Sequence, residues 1–307
     1  MEQIRIVKRD SEVLRGIRRC LFGSGLLLVT LLFSGCAGWN TSADLVFVPA
    51  TGSIKGIYYP GKFVWNDLLT DNVSSAKDFY GQLFGWTFET SGKYTVIKNN
   101  GQNIGRIVHV KGDDQNPSVS RWLCVLSVDD IDKAIKITLE AGGIVNEGPM
   151  ELGKRGRGAL VRDPQGAQLM LLHSKNGDPE DEEPPLGSWL WHELWSNHIN
   201  ESLAFYQKLV GYDFEGEPED YLILSRDEHW RAGIRLVEHS EHEMRWVPVV
   251  RVADTEVVAE RANQLGGKVL IEPRPTQDGG SVALLSDQAN ALFIIQQWTA
   301  PTPGKED

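Results

Sequence analysis

Trp65 and Asp67 stand two residues apart, and 126 residues further on Trp191 and Glu193 repeat the pair. A spacing of two puts both side chains on one face of an extended strand. An indole face stacks on planar molecules or holds a cation, the latter at ~0.5–2 kcal/mol per contact. A carboxylate beside it can bind an ammonium or guanidinium group. Arg121 and Arg245 open two later apolar runs and are the matching cations. They either join the carboxylates around a ligand or simply pair with them. Met170, in the run Gln168–His173, adds a thioether to this aromatic and aliphatic lining. An apolar wall with a few convergent polar groups is the usual make-up of a small-molecule pocket. The candidate ligand-binding residues are thus Trp65, Asp67, Arg121, Met170, Trp191, Glu193 and Arg245, with no catalytic residue assigned.

Other chemistries find little support. No Ser-His-Asp spacing, phosphate-binding glycine loop or zinc-type CxxC occurs. The cluster Glu238-His239-Ser240-Glu241-His242-Glu243 contains ligand-type residues, but its flanks make it a solvated loop between strands. Cys124 lies in an apolar run and reads as a small buried hydrophobe. The chain carries a net charge of −11, which repels nucleic acid and offers no polybasic membrane patch.

The N-terminus is different. Arg5, Lys8, Arg9, Arg15, Arg18 and Arg19 precede the apolar run LFGSGLLLVTLLFSG. That order is a secretory signal, and the run is shorter than the ~20 residues of a membrane span. Phe33-Ser34-Gly35-Cys36 resembles a bacterial lipobox, which implies lipidation of Cys36 and a signal peptide over 1–35. Ala37 after the cysteine suggests, by analogy with lipoprotein sorting, an outer-membrane anchor facing the periplasm. Membrane attachment is therefore expected through lipid at Cys36.

The elements that must position the candidate residues are written twice. Gly61–Glu89 aligns without gaps with Gly187–Glu215, sharing nine identities in 29 positions, among them Gly61/Gly187, Trp65/Trp191 and Tyr80/Tyr206. Arg121–Pro149 aligns with Arg245–Pro273 at an offset of 124. So long a period marks a duplicated domain, not a solenoid. Residues 36–60 read as a tether, 61–173 and 187–298 as the two copies, 174–186 as an acidic Pro-rich linker and 299–307 as a tail. Within the first copy, periodicity predicts a strand over Phe63–Leu69 and a helix capped by Asp71 and stopped by Gly85. Strands follow at Thr87–Glu89, Tyr94–Lys98, Ile104–Val110 and Arg121–Val128, then a helix over Asp130–Ala141, then strands at Ala159–Arg162 and Gln168–His173. Each copy is β-α-β-β-β written twice. Pro248 interrupts a run that should be a central strand, so distortion of the second copy is expected there.

This order resembles the vicinal oxygen chelate superfamily of glyoxalases, bleomycin-resistance proteins and extradiol dioxygenases. The residues that carry the resemblance are Phe79-Tyr80…Leu83-Phe84-Gly85-Trp86, Gly142-Gly143 and Asp163-Pro164-Gln165-Gly166, with Phe205-Tyr206…Gly211-Tyr212, Gly266-Gly267 and a worn Asp287-Gln288-Ala289-Asn290 in the second copy. It implies an α+β fold of two tandem domains, each a pair of βαβββ modules curving around a cup. It also implies places for four metal ligands per cup. Three of them fall on Trp65, Leu123 and Met170, and on Trp191, Val247 and Ile294; the fourth lies within Arg106–His109 or Ile234–Glu238. Indole and aliphatic groups have no lone pair to give a divalent ion, so no metal or other cofactor is expected. Strand alternation would place Phe63 and Trp189 in the cups, and Asn66 and His192 on the opposite, helix-covered face. The resulting expectation is a lipid-anchored envelope protein binding a small organic molecule without metal. A metal-dependent lyase, isomerase or dioxygenase with an unconventional ligand set is the first alternative, and a partner-binding envelope scaffold the second.

Overall fold

The computed structural model describes residues 47–52, 55–91, 94–111, 120–217, 221–237, 244–276 and 280–298. The expected signal peptide, Cys36, the tether as far as residue 46, the 238–243 cluster and the tail from residue 299 lie outside the described residues. No described helix is long and apolar enough to cross a membrane.

The first copy contains β1 (Phe63–Thr70), α1 (Val73–Phe84), β2 (Thr87–Ser91), β3 (Tyr94–Asn99), β4 (Gln102–His109), β5 (Arg121–Ser127), α2 (Ile131–Glu140), β6 (Ile144–Glu151), β7 (Gly156–Arg162) and β8 (Gln168–Ser174). The second repeats them as β9 (Trp189–Ser196), α3 (Ile199–Val210), β10 (Asp213–Glu217), β11 (Tyr221–Arg226), β12 (His229–Leu236), β13 (Arg245–Val252), α4 (Thr255–Gln264), β14 (Lys268–Pro275), β15 (Ser281–Ser286) and β16 (Leu292–Gln297). Each copy forms one eight-stranded sheet, ordered β2-β3-β4-β1-β5-β8-β7-β6 and β10-β11-β12-β9-β13-β16-β15-β14. The βαβββ pairs and the α+β class are as the sequence implies.

Local chemistry fixes the element ends. The cap of α1 is Asn72, not Asp71: its Oδ1 accepts from Ser75 N at 3.0 Å. Gly85 ends the helix in the left-handed region at φ 72°, where a side chain would be strained. Pro248 does not break β13, which pairs with β9 from Arg245 to Val250, Pro248 included; pairing with β16 starts only at Val249. The irregularity nearby, between Val249 and Val250, has a twin in the first copy opposite Phe63 and Trp65. It belongs to the fold and not to the proline. β6 and β14 were not anticipated by periodicity, because they are edge strands with few fully buried residues.

The helix-bearing faces of the two sheets pack on each other. One core joins the back of β5, β7 and β8 with α3 and β12; its counterpart joins α1, β3 and β4 with α4, β15 and β16. The polar contacts across this junction come in reciprocal pairs. Tyr80 Oη donates to Asp287 Oδ2 at 3.3 Å and Tyr206 Oη to Asp163 Oδ2 at 3.1 Å. Trp86 Nε1 donates to the Gly187 carbonyl at 2.7 Å, and Tyr212 Oη to the Gly61 carbonyl. Asn66 and His192, equivalent residues, meet each other at 3.0 Å. The identities Gly61/Gly187, Tyr80/Tyr206 and Asp163/Asp287 therefore serve docking of the copies. Gly61 shows why: at φ +89°, a Cβ there would lie 2.8 Å from the Tyr212 ring.

Two unequal cups as candidate functional sites

The free face of each sheet curves around a cup. In the first, Asp67 is fully buried on β1 and takes Trp65 Nε1 at 2.8 Å, Arg106 Nε at 2.9 Å and Arg106 Nη2 at 2.6 Å. Arg155 Nη1 stands 3.5 Å from the same carboxylate. Burial alone would raise the Asp67 pKa, but the Arg106 and Arg155 guanidiniums outweigh it and hold the group below its ordinary value. Arg106 is brought there by register, since β4 runs parallel to β1 with Arg106 opposite Asp67. The rest of this cup is filled by the chain itself. Phe47, Val48 and Ala50 pack with Trp65, Val96, Val125, Leu152, Met170 and Leu172 into one apolar cluster. The described part of the tether is thus a plug, not a loose leader.

In the second cup, Glu193 takes Arg235 Nε at 2.8 Å, Arg235 Nη2 at 3.0 Å and Trp195 Nε1 at 2.9 Å. Trp191 Nε1 donates to Tyr221 Oη at 3.0 Å, and the Arg235 guanidinium lies 4.7 Å from the Tyr221 ring centre. Burial, with Glu193 beside it, raises the Tyr221 pKa, so the phenol stays protonated. Among the described residues no plug enters here. A cavity of about 580 Å³ opens instead, walled by Trp191, Glu193, Tyr221, Trp230, Ile294 and Trp298 among others. Asp181 and Glu182 of the linker form part of its lining. Arg231 grips Asp181 through two hydrogen bonds of 2.7 and 3.0 Å, and Lys62 adds a third contact at 2.8 Å. Burial would raise the Asp181 pKa, yet these cations pull it down to about 2.

Of the candidate residues, Trp65, Asp67 and Met170 meet in the first cup, and Trp191 and Glu193 in the second. Arg121 and Arg245 do not pair with the carboxylates as the sequence allowed. They stand opposite Leu69 and Trp195 at the strand starts, and Arg121 Nη2 donates to Gln168 Oε1 at 3.1 Å. Arg106, Arg155, Arg235 and Tyr221 take the central places instead. The fourth-strand window contained Arg106 and Arg235, but their sign excluded them from a search for metal ligands. The one-residue irregularity in β1 and β9 packs the rings of Phe63 and Trp189 at the junction, though both residues still line the cavity of the second cup. There Phe63 stacks on His192 at 4.3 Å, and Trp189 packs against Trp86 and Trp122. His192 and Asn66 face the junction as expected.

Residues 62–171 match the model of the Glyoxalase/Bleomycin resistance protein/Dioxygenase superfamily. The match covers the first copy and shows what that copy is similar to. It is 27% identical over 248 residues to a Mycobacterium bovis protein named "Putative glyoxylase CFP32", covering 78% of this chain and 95% of the relative. It is 26% identical over 263 residues to the anthracycline biosynthesis protein DnrV of Streptomyces peucetius, covering 78% and 94%. Among solved structures, the Mn(II)-bound glyoxalase of Novosphingobium aromaticivorans superposes with a TM-score of 0.55 at 14% identity, over 78% of this chain and 82% of that one. A homoprotocatechuate 2,3-dioxygenase variant from B. fuscum gives 0.58 at 12% identity, over 84% and 75%. These structural likenesses concern the fold.

Likeness to the superfamily raises the question of a metal, and the strand positions of neither cup fit one. Trp65, Leu123 and Met170, or Trp191, Val247 and Ile294, offer at most a thioether. The strand carboxylates Asp67 and Glu193 are each held bidentately by an arginine, as is Asp181 of the linker by Arg231. A guanidinium on the lone pairs leaves them closed to a cation. No group of three or more His, Cys, Asp or Glu able to hold a metal occurs among the described residues.

Proposed function

We propose that the second cup of this glyoxalase/bleomycin-resistance-like protein binds a small planar organic molecule without a metal, on a chain held at the cell envelope by lipid at Cys36. The observation that carries the reading is the inequality of the cups: the second is open, with a cavity of about 580 Å³, where the first is plugged. That volume is in the range of small-molecule sites. Its exposed aromatic surfaces, Trp230 at the rim and the part-exposed Trp191, suit a flat ring system. The Glu193–Arg235 pair and the Tyr221 hydroxyl supply neutral polar contacts at the floor. The name of the relative DnrV, an anthracycline biosynthesis protein, supports a polycyclic aromatic ligand. Attachment through Cys36 is supported by the basic, apolar and Phe33-Ser34-Gly35-Cys36 order alone.

Quinizarin, a flat hydroxyanthraquinone, is the probe. Titration should quench the protein's tryptophan fluorescence saturably, unchanged by a chelator. Trp191→Ala should weaken binding about tenfold or more, because an aromatic wall contributes ~1–2 kcal/mol. A stoichiometric divalent metal in the purified protein, lost together with quinizarin binding on chelation, would overturn the proposal.

A further inference from the structure

The plug of the first cup resembles a ligand. Its Phe47 ring lies 4.4 Å from the Arg106 guanidinium and 5.4 Å from that of Arg155, and Val48 presents its carbonyl to Arg155 Nε at 3.1 Å. Trp65 lies under Arg155 at 4.2 Å and Tyr94 beside Arg106 at 5.2 Å. We propose that the first cup is a latent binding site for an aromatic carboxylate, and that Phe47–Ala50 occupies it as an internal stand-in, the Phe47 ring for the ligand's ring and the Val48 carbonyl for a carboxylate oxygen.

Charge and hydrogen bonding both point to an acid. Two guanidiniums share the single carboxylate of Asp67, so one positive charge lacks a counterpart among the described residues of the cup. Both arginines are more than nine-tenths buried. Arg106 Nη1 and Arg155 Nη2 are nonetheless without a hydrogen-bond partner among the described residues. The Val48 carbonyl offers Arg155 Nε a dipole but no charge, and leaves these two donors unmet. A carboxylate would bring both a charge and a second oxygen, and it matches the planar fork of a guanidinium. Burial and the neighbouring Arg106 bring the Arg155 pKa down to about 9, the direction expected of a cation short of anions. The rings of Phe47, Tyr94 and Trp65 stabilise the pair meanwhile through their π faces. The site is separate from the cavity of the second cup and does not rest on the function proposed for it.

The test uses the full chain and phenylacetate, with phenethylamine as the same ring bearing the opposite charge. Calorimetric titration should show Phe47→Ala binding phenylacetate about tenfold more tightly than the unaltered protein, and phenethylamine not at all. Adding Arg155→Met should remove that gain. No gain in Phe47→Ala, equal binding of phenethylamine, or a gain that survives Arg155→Met would each overturn the proposal. The unaltered protein gives a readout that needs no variant to fold. High-millimolar phenylacetate should raise amide hydrogen exchange across 47–52, as the plug is displaced, and phenethylamine should not. Exchange that stays the same with phenylacetate refutes a displaceable plug.

Discussion

His192 sits where the two copies meet, 4% exposed, stacked on Phe63 and 3.0 Å from Asn66 of the other copy. No carboxylate pairs with it among the described residues, and burial pushes its pKa down from 6.5 to about 3. A base whose folded pKa is depressed must stay neutral in the native state, while the unfolded chain takes up its proton below about 6.5. The stability tied to this site is therefore complete above pH 6.5 and is lost as pH falls toward 3. Between pH 7 and pH 4 the loss is about 3 kcal/mol, at 1.36 kcal/mol per pH unit over the part of the interval below 6.5. Other groups titrate in the same window. Burial raises Asp163 and Asp287, while Arg and Lys partners lower Asp67 and Asp181, so the slope of one protein alone is not decisive. The difference between the unaltered chain and His192→Gln isolates the histidine. Urea unfolding at pH 7 and pH 4 should show His192→Gln losing about 3 kcal/mol less than the unaltered protein. Equal losses in the two would mean that His192 is solvated or paired, and the packing described for the junction would be wrong.

Three further outcomes are expected. Asp67→Asn leaves the Arg106 and Arg155 guanidiniums buried without their anion, and should cost ~3–5 kcal/mol in urea unfolding; a loss under 1 kcal/mol would contradict the closed state of the first cup. Tyr206→Phe strips Asp163 Oδ2 of a donor and Trp246 Nε1 of its acceptor at 2.8 Å, so ~1–3 kcal/mol should be lost, and Tyr80→Phe should behave alike; a loss for only one of them would deny the reciprocity of the junction. Cys36→Ser should abolish incorporation of labelled palmitate and shift the protein from the membrane to the soluble fraction, whereas labelling that persists would refute the anchor.

The duplicated α+β fold was legible because helical and strand periods, the Gly85 stop and the 126-residue repeat all act locally. Edge strands β6 and β14 escaped notice since solvent on most sides leaves little apolar pattern. Within the cups, Trp65, Asp67, Trp191 and Glu193 could be found from alternation along one strand. Their partners could not. Arg106, Arg155 and Arg235 reach the carboxylates across strand register and from distant turns, which no spacing within one segment encodes. Asp287-Gln288-Ala289-Asn290 looked worn, yet it keeps its task. Asp287 Oδ1 accepts from Ala289 N and Ala291 N as Asp163 Oδ1 does from Gln165 N and Ala167 N. Asn290 at φ +68° takes the left-handed place of Gly166 at +97°, a conformation asparagine tolerates.

The difference between the cups follows from two local facts. The first concerns reach. Residues 47–50 are free to fold back into the first cup, but their equivalents 126 positions later, 173–176, include the end of β8 and are committed to the first sheet. The linker that follows is also tied down. Asp178 accepts from Tyr59 N, Ser127 Oγ and Ser174 Oγ, and Arg251 donates to the Pro184 carbonyl. The chain before the second copy thus has no slack with which to fill its cup. The second fact is the position of the arginine. Opposite Asp67 stands Arg106, whereas opposite Glu193 stands Gly233. No side chain fits there, since a Cβ on Gly233 would lie 1.9 Å from Tyr221 Oη and 3.1 Å from Trp191 Nε1. The cation is moved two residues along, to Arg235, opposite Trp195. That shift keeps the carboxylate neutralised while Trp191 and Tyr221 bond to each other across the space, so the same charge pair that helps close one cup lets the other stay open.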